Sequence, residues 1–318
     1  SSAASDVYKR QLVDWYGRIP GTIGMIGSLG EAACGIIPFG HRKLLTASWT
    51  DNRVDIHPLT PNGASFKAGR TPFISGPDNF RPVHFSYSPD GKALYITDWV
   101  DLSYPVHGQG RIWKVTFKNP VELTPRPRKL IEAAAPEFSL SQLGDPDPYA
   151  RTATIETLRL HPEILRGHDW KTDNDAVARA HYAIALKRLD PVGEAGIIPK
   201  LLEDPDSDVR YVGIKWIADE RLTQYRDQLS ALLDRNDLER RDLLAVVAAL
   251  AEVSGGSKEE FSPGSALLKI VLDESKPPFL RTLALRGVPV DHAQLKITAL
   301  RELAQSDNAR LQLEAVRT

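Results

Sequence analysis

Leu201-Leu202-Glu203-Asp204-Pro205-Asp206-Ser207-Asp208-Val209-Arg210 reads as the end of one helix, a turn, and the start of another. Pro205 stops the incoming helix because its ring clashes and its nitrogen carries no hydrogen. An Asp or Ser just beyond it can cap the next helix by accepting hydrogen bonds from the free N–H groups of the first turn. Past the turn, Val209, Val212, Gly213, Trp216 and Ile217 fall at i, i+3, i+4, i+7 and i+8, which is one buried helical face. The spacing of the turn Asp and the Arg six places later recurs as Asp145…Arg151, Asp173…Arg179, Asp204…Arg210 and Asp234…Arg240. Asp273…Arg281 keeps it with a two-residue insertion, and Ser306-Asp307-Asn308-Ala309-Arg310 is a weaker sixth copy. Successive starts among the first five lie 28, 31, 30 and 39 residues apart. That period belongs to an array of helix–turn–helix units, each burying its apolar face against its neighbours. Leu243–Ala251 is apolar nearly all round, as a helix sandwiched inside such an array must be.

These repeats resemble the HEAT family, in which the turn Asp and the helix Arg form a polar ladder between neighbours. The resemblance spans residues 143–318 and implies an α-solenoid of about five antiparallel helix pairs, truncated at its end, with these charges serving structure and not catalysis. His161, His168, His181 and His292 are scattered without ligand spacing and read as satisfied histidines, and Trp170 and Trp216 as core or capping aromatics.

Upstream, the period changes from helical to alternating. Arg42–Trp49 reads as a strand, Thr50-Asp51-Asn52 as a turn, and Val54–Leu59 as the return strand, with Val54 and Ile56 alternating against Asp55 and His57. Pro61-Asn62-Gly63 marks a second turn. Val83, Phe85 and Tyr87 alternate with His84 and Ser86; Ser88-Pro89-Asp90-Gly91-Lys92 turns the chain; Ala93–Trp99 returns, and Gly110–Val115 adds a further strand. Short strands at this rhythm suit the blades of a β-propeller, and residues 12–118 have room for about two. The fold class expected is therefore β then α, with a partial propeller followed by the solenoid. Between them, residues 119–142 hold Pro120, Pro125, Pro127 and Pro136 and read as a linker with one short helix around Leu130–Ala135. Residues 1–11 fit nothing that follows and resemble a translated adaptor tail. With no initiator Met and a last residue inside a helical pattern, the chain reads as an internal fragment.

The ordered string Asn79-Phe80-Arg81-Pro82-Val83, Ser88-Pro89-Asp90-Gly91, Tyr95, Thr97-Asp98-Trp99 and Tyr104–Trp113 (Tyr-Pro-Val-His-Gly-Gln-Gly-Arg-Ile-Trp) resembles the last blades of the glucose/sorbosone dehydrogenase-type propellers. It is most similar to the "membrane-bound dehydrogenase" group of planctomycetes and verrucomicrobia, where HEAT repeats and often a haem domain follow. The resemblance implies oxidation of a sugar or aldose by pyrroloquinoline quinone (PQQ) with bound calcium, in a periplasmic or cell-surface protein. A quinone accepts hydride from the sugar carbon while a base removes the hydroxyl proton. Arginines would clamp the cofactor's carboxylates. On that implication Arg81, Asp98, His107 and Arg111 are the candidate cofactor-binding residues, with no catalytic residue assigned. The same four also suit structural work: Asp98 capping a turn, His107 satisfying a loop, Arg81 pairing with an acid. Asp90-Gly91 lacks the further alternating carboxylates of a calcium loop, and His41, His57 and His84 read as ordinary strand or loop residues.

Composition narrows the classes. The 318 residues are 42% hydrophobic and 25% charged, typical of a globular protein, and no apolar run reaches the length of a membrane span. Residues 1–142 hold 16 Lys and Arg against 12 Asp and Glu, a net of +4, and residues 143–318 hold 24 against 29, a net of −5. Neither is basic enough for a nucleic-acid surface. The single cysteine, Cys34, excludes an internal disulfide, and its apolar neighbours predict a buried, inert thiol. Two functions are compatible with these readings. One is a PQQ-type sugar dehydrogenase fragment whose helical half docks a c-type cytochrome or a polysaccharide. The alternative is a non-catalytic propeller–HEAT binding scaffold.

Overall fold

The computed structural model describes residues 19–122, 140–255 and 262–318. Strands fill the first part and helices the second, in the order expected. Two compact units result, one of residues 23–122 and one of residues 19–22 with 140–318. The tail at 1–11, the start of the β part at 12–18, and most of the linker with its short helix lie outside the described residues. Two pieces ahead of Leu143 belong to the helical unit. Residues 19–22 belong to it because Gly21, at φ +78°, packs so tightly on Ile184 that a Cβ would meet that side chain at 2.8 Å. It also begins earlier than 143, with a 3₁₀ turn over Leu140–Gly144 that buries Leu143.

The β unit holds two antiparallel sheets. The first contains β1 (Ala33–Pro38), β2 (Lys43–Ser48), β3 (Arg53–Asn62), β4 (Ser65–Ala68) and β5 (Thr71–Ser75), with β5 running beside the first half of β3 and β4 beside its end. The second contains β6 (Pro82–Tyr87), β7 (Ala93–Asp98) and β8 (Arg111–Thr116) in sequence order. Leu45, Ala47 and Val54 from the first sheet meet Phe85, Leu94 and Ile96 from the second, with Phe80 between them, in one apolar core. The alternation read at β3 and β6 therefore places the core correctly. Strands β1, β4 and β5 were not anticipated. Cys34 is a correction: it is exposed, because β1 pairs only with β2 and turns that side chain outward.

In the helical unit the described helices are α1 (Pro148–Arg159), α2 (Pro162–Arg166), α3 (Ala176–Leu189), α4 (Ile198–Leu202), α5 (Ser207–Glu220), α6 (Arg226–Leu232), α7 (Arg240–Val253), α8 (Pro263–Leu272), α9 (Pro278–Leu285), α10 (Ile297–Leu303) and α11 (Ala309–Arg317). The odd-numbered helices contact one another in sequence, α1 on α3, α3 on α5, α5 on α7, α7 on α9 and α9 on α11. Helices α4, α6, α8 and α10 each pack on the helix that follows. Asp206 caps α5 by accepting from Asp208 N and Val209 N, and Asp147, Asp175 and Asn308 do the same for α1, α3 and α11. Val209, Val212, Gly213, Trp216 and Ile217 are all buried, as their spacing requires. One register differs: Arg240 is exposed, and Arg241, one place on, turns in to Asp208 and the ring of Tyr211.

Candidate functional site

Three of the four candidate residues converge at one end of the second sheet. Asp98 ends β7 and lies opposite Arg111 of β8 and Pro82 of β6. Its side chain is fully buried and accepts five hydrogen bonds. Oδ1 takes the backbone N–H groups of Arg81 at 2.7 Å and Val100 at 2.9 Å. Oδ2 takes Arg111 Nε at 3.2 Å, Arg111 Nη2 at 2.9 Å and the indole N–H of Trp113 at 2.7 Å. A buried carboxylate with this many donors is a fixed anion that staples a strand end to its neighbours.

Arg111 Nη2 also donates to the carbonyl of Asn79, and the guanidinium lies 5.0 Å from the centre of the Trp113 ring. Arg81 is buried and donates from Nη1 to the carbonyls of Trp49 at 3.0 Å and Thr50 at 3.1 Å. It therefore ties the β2–β3 turn of the first sheet to β6 of the second, stacking 5.6 Å from Trp49. Tyr104 covers Trp49 with ring centroids 5.7 Å apart. His107 stands outside this node. Its ring meets Trp99 edge-on at 4.8 Å, and Nδ1 accepts from Gln109 N at 3.0 Å.

This arrangement fits a brace and does not fit a quinone clamp. Gripping the carboxylates of PQQ needs a guanidinium fork aimed at open space. Here the Nε and Nη2 edge of Arg111 is taken by Asp98, and Arg81 is turned into the protein. Both Asp98 oxygens are filled by N–H donors, which leaves calcium no lone pair facing a cavity. Among the described residues no group of three or more His, Cys, Asp and Glu side chains converges as a metal would require.

A second polar network went unseen in the sequence. Thr46, Ser48, Asp55 and His57 share one face of β2 and β3 and are all fully buried. Arg70 reaches Asp55 Oδ2 at 2.7 Å and Asp51 Oδ2 at 2.5 Å, and Arg53 reaches Asp55 Oδ1 at 3.0 Å. The Ser48 hydroxyl, 2.7 Å away, and then Arg70 hold the Asp51 carboxyl below the usual range. His57 donates from Nδ1 to the Gly69 carbonyl at 2.9 Å, so its Nε2 is the acceptor for the Thr46 hydroxyl at 2.8 Å. The strand alternation assigns these residues to one side. It does not report that a second layer covers that side, with Ala68 N donating to Ile26 O and Ser48 Oγ to Glu31 O.

In the helical unit the recurring arginines reach backward to their own turn and forward to the next unit. Arg151 bonds the Asp145 carbonyl, Arg179 that of Asp173 at 2.8 Å, and Arg210 that of Asp204 at 2.9 Å. Forward, Arg179 makes a two-pronged bond to Asp204, 2.9 Å on each prong, and Arg210 approaches Asp242 at 3.6 Å. Burial pushes the Asp242 carboxyl up despite Arg241 and Arg210. Arg151 instead meets His181 Nε2 at 3.2 Å, while His181 Nδ1 donates to the Val177 carbonyl at 2.7 Å. Burial lowers the pKa of His181, which the Val177 carbonyl only partly offsets, so the ring is neutral and fully satisfied.

With this geometry in hand, no known family model, no curated protein and no solved structure matches the chain.

Proposed function

We propose that this chain works by binding and not by catalysis. Its β unit is the remainder of a propeller, and its helical unit is a HEAT-type platform for a protein or polysaccharide partner. The observation that carries this reading is the Asp98 node: Asp98 is filled by five N–H donors, and the bonded nitrogens of Arg81 and Arg111 go to Asp98 and to backbone carbonyls. The sequential contacts of the odd-numbered helices support the platform, since such arrays expose a long continuous surface. A periplasmic or cell-surface location and a c-type cytochrome partner belong to the same proposal and rest on the motif resemblance.

The second reading, a PQQ-type sugar dehydrogenase, is favoured by the order of Phe80-Arg81-Pro82, Pro89-Asp90-Gly91, Asp98-Trp99 and His107–Trp113. One experiment separates the two. The chain is titrated with PQQ and calcium by calorimetry, and dye reduction is followed with a panel of aldoses. No saturable heat and no turnover are expected, because a quinone site needs cofactor, base and sugar fixed together. Turnover that disappears in Arg111→Ala overturns the binding reading and establishes the dehydrogenase.

A further inference from the structure

The two sheets are built on the same plan except at one edge. In the first, β1, β2 and β3 are followed by a fourth antiparallel strand, β5, laid along β3. In the second, β6, β7 and β8 repeat the first three positions, and among the described residues nothing pairs with β8 on its far side. The Phe117 N–H bonds the Lys92 carbonyl, and the β7–β8 register continues from there. By the two-residue alternation of an antiparallel ladder, Val115, Trp113 and Arg111 turn their backbone groups toward β7. Ile112, Lys114 and Thr116 therefore point theirs away from the sheet, and all three are exposed.

Beside this edge lies an apolar cleft of about 200 Å³, bounded by Ile74 and Pro77 at the end of β5 and by Phe80, Ile96, Trp113 and Val115. The cleft is smaller than the roughly 300–1,000 Å³ of a small-molecule pocket, and its size suits aliphatic side chains. Its place matches where a strand laid along β8 would turn one face inward. The charge of the edge is one-sided: β8 carries Arg111 and Lys114 and no acid. Arg111 is neutralised by Asp98, and Lys114, its ammonium 5.9 Å from the centre of the Tyr95 ring, is the cation of the strand that meets no carboxylate among the described residues.

We propose that β8 accepts a fourth, antiparallel strand from a partner peptide, with an aliphatic side chain filling the cleft beside Trp113 and a carboxylate opposite Lys114. Main-chain hydrogen bonds to Ile112, Lys114 and Thr116 supply affinity, and the cleft and the lysine supply selectivity, as in strand addition generally. The inference rests on the sheets alone and stands whether or not the propeller or quinone readings hold.

The test uses the full chain and three fluorescein-labelled hexapeptides of alternating valine and threonine. One has a central glutamate, one a central lysine, and one is the glutamate peptide N-methylated at alternate amides. Anisotropy should show the glutamate peptide binding at least about tenfold more tightly than the lysine peptide, with no binding of the methylated form. Lys114→Pro removes an outward N–H without touching the β7 ladder, which an edge strand tolerates, and should abolish binding. Lys114→Glu should reverse the preference between the two charged peptides, and circular dichroism of both variants checks that the sheets persist. Equal binding of the methylated peptide, an unchanged Lys114→Pro, or no saturation by about 1 mM peptide overturns the proposal. So does a dimer, seen by sedimentation, that Lys114→Pro converts to monomer, because the edge is then filled by a second copy of the chain.

Discussion

Trp216 offers the most direct test of how the helical unit is held. It lies on α5 with no exposed surface, and its indole N–H donates to the Pro191 carbonyl at 2.8 Å. Truncating a fully buried tryptophan costs about 3–5 kcal/mol in lost transfer energy and residual cavity. Trp216→Ala should therefore lower the midpoint of a unit this size by roughly 6–20 °C. Trp216→Phe keeps most of the ring but leaves the Pro191 carbonyl without its donor, a loss of about 1–2 kcal/mol. Lys215, the neighbour on the outer face, is half exposed and paired only with Asp219 at i+4, so Lys215→Ala should cost about 0.5 kcal/mol. Urea and thermal unfolding followed by helical circular dichroism would rank the three variants. Equal losses in Trp216→Ala and Trp216→Phe, or a loss below about 1 kcal/mol in Trp216→Ala, would refute the packing of α5 described above.

Arg179→Ala removes both prongs on a nearly buried Asp204 and one donor to the Asp173 carbonyl, and should cost about 3–5 kcal/mol in urea unfolding; a double-mutant cycle with Asp204→Asn should give strong coupling. His181 should make the helical unit acid-sensitive. Its folded pKa is lowered, so the unfolded chain takes up the proton first, at about 6.5. Stability must then fall as pH drops through that value and level off below the folded pKa. His181→Gln should flatten this limb in unfolding measured between about pH 8 and 5. Asp98→Ala strands two backbone N–H groups, the Trp113 indole and the Arg111 fork, and should destabilise the β unit by about 3 kcal/mol, with Trp113 emission as the probe; Asp98→Asn, which keeps one oxygen, should cost less.

Much of the helical unit was legible because its signals are local. A turn Asp, a cap and an apolar stripe lie within about ten residues of one another, and Val209–Ile217 faces inward as its spacing dictates. The fourth copy misled, since Arg240 is exposed and Arg241 turns back to Asp208 of the preceding unit, and spacing alone cannot report where the helix begins. The β unit was legible at its central hairpins but not at β1, β4 and β5: Gly35 and Pro72 interrupt the pattern of β1 and β5, and β4 is only four residues long. Arg81, Asp98, His107 and Arg111 are singled out together by the motif; the structure joins three of them through Asp98 and sets His107 apart, against Trp99. What spacing could not convey is direction. The same arginine fork can face a ligand or a neighbouring aspartate, and only the strand register that sets Arg111 beside Asp98 decides.

The arginines at 151, 179 and 210 each grip a carbonyl of their own turn and then a side chain found later in the sequence, at 181, 204 and 242. A ribosome makes the chain in that same direction. As each unit emerges, its own turn can be tied at once, but its guanidinium waits for 25 to 32 further residues before the forward partner exists, a delay of a few seconds at ordinary synthesis speeds. The array is therefore assembled like a dry-stone course, in which every block is seated when laid and locked only by the next.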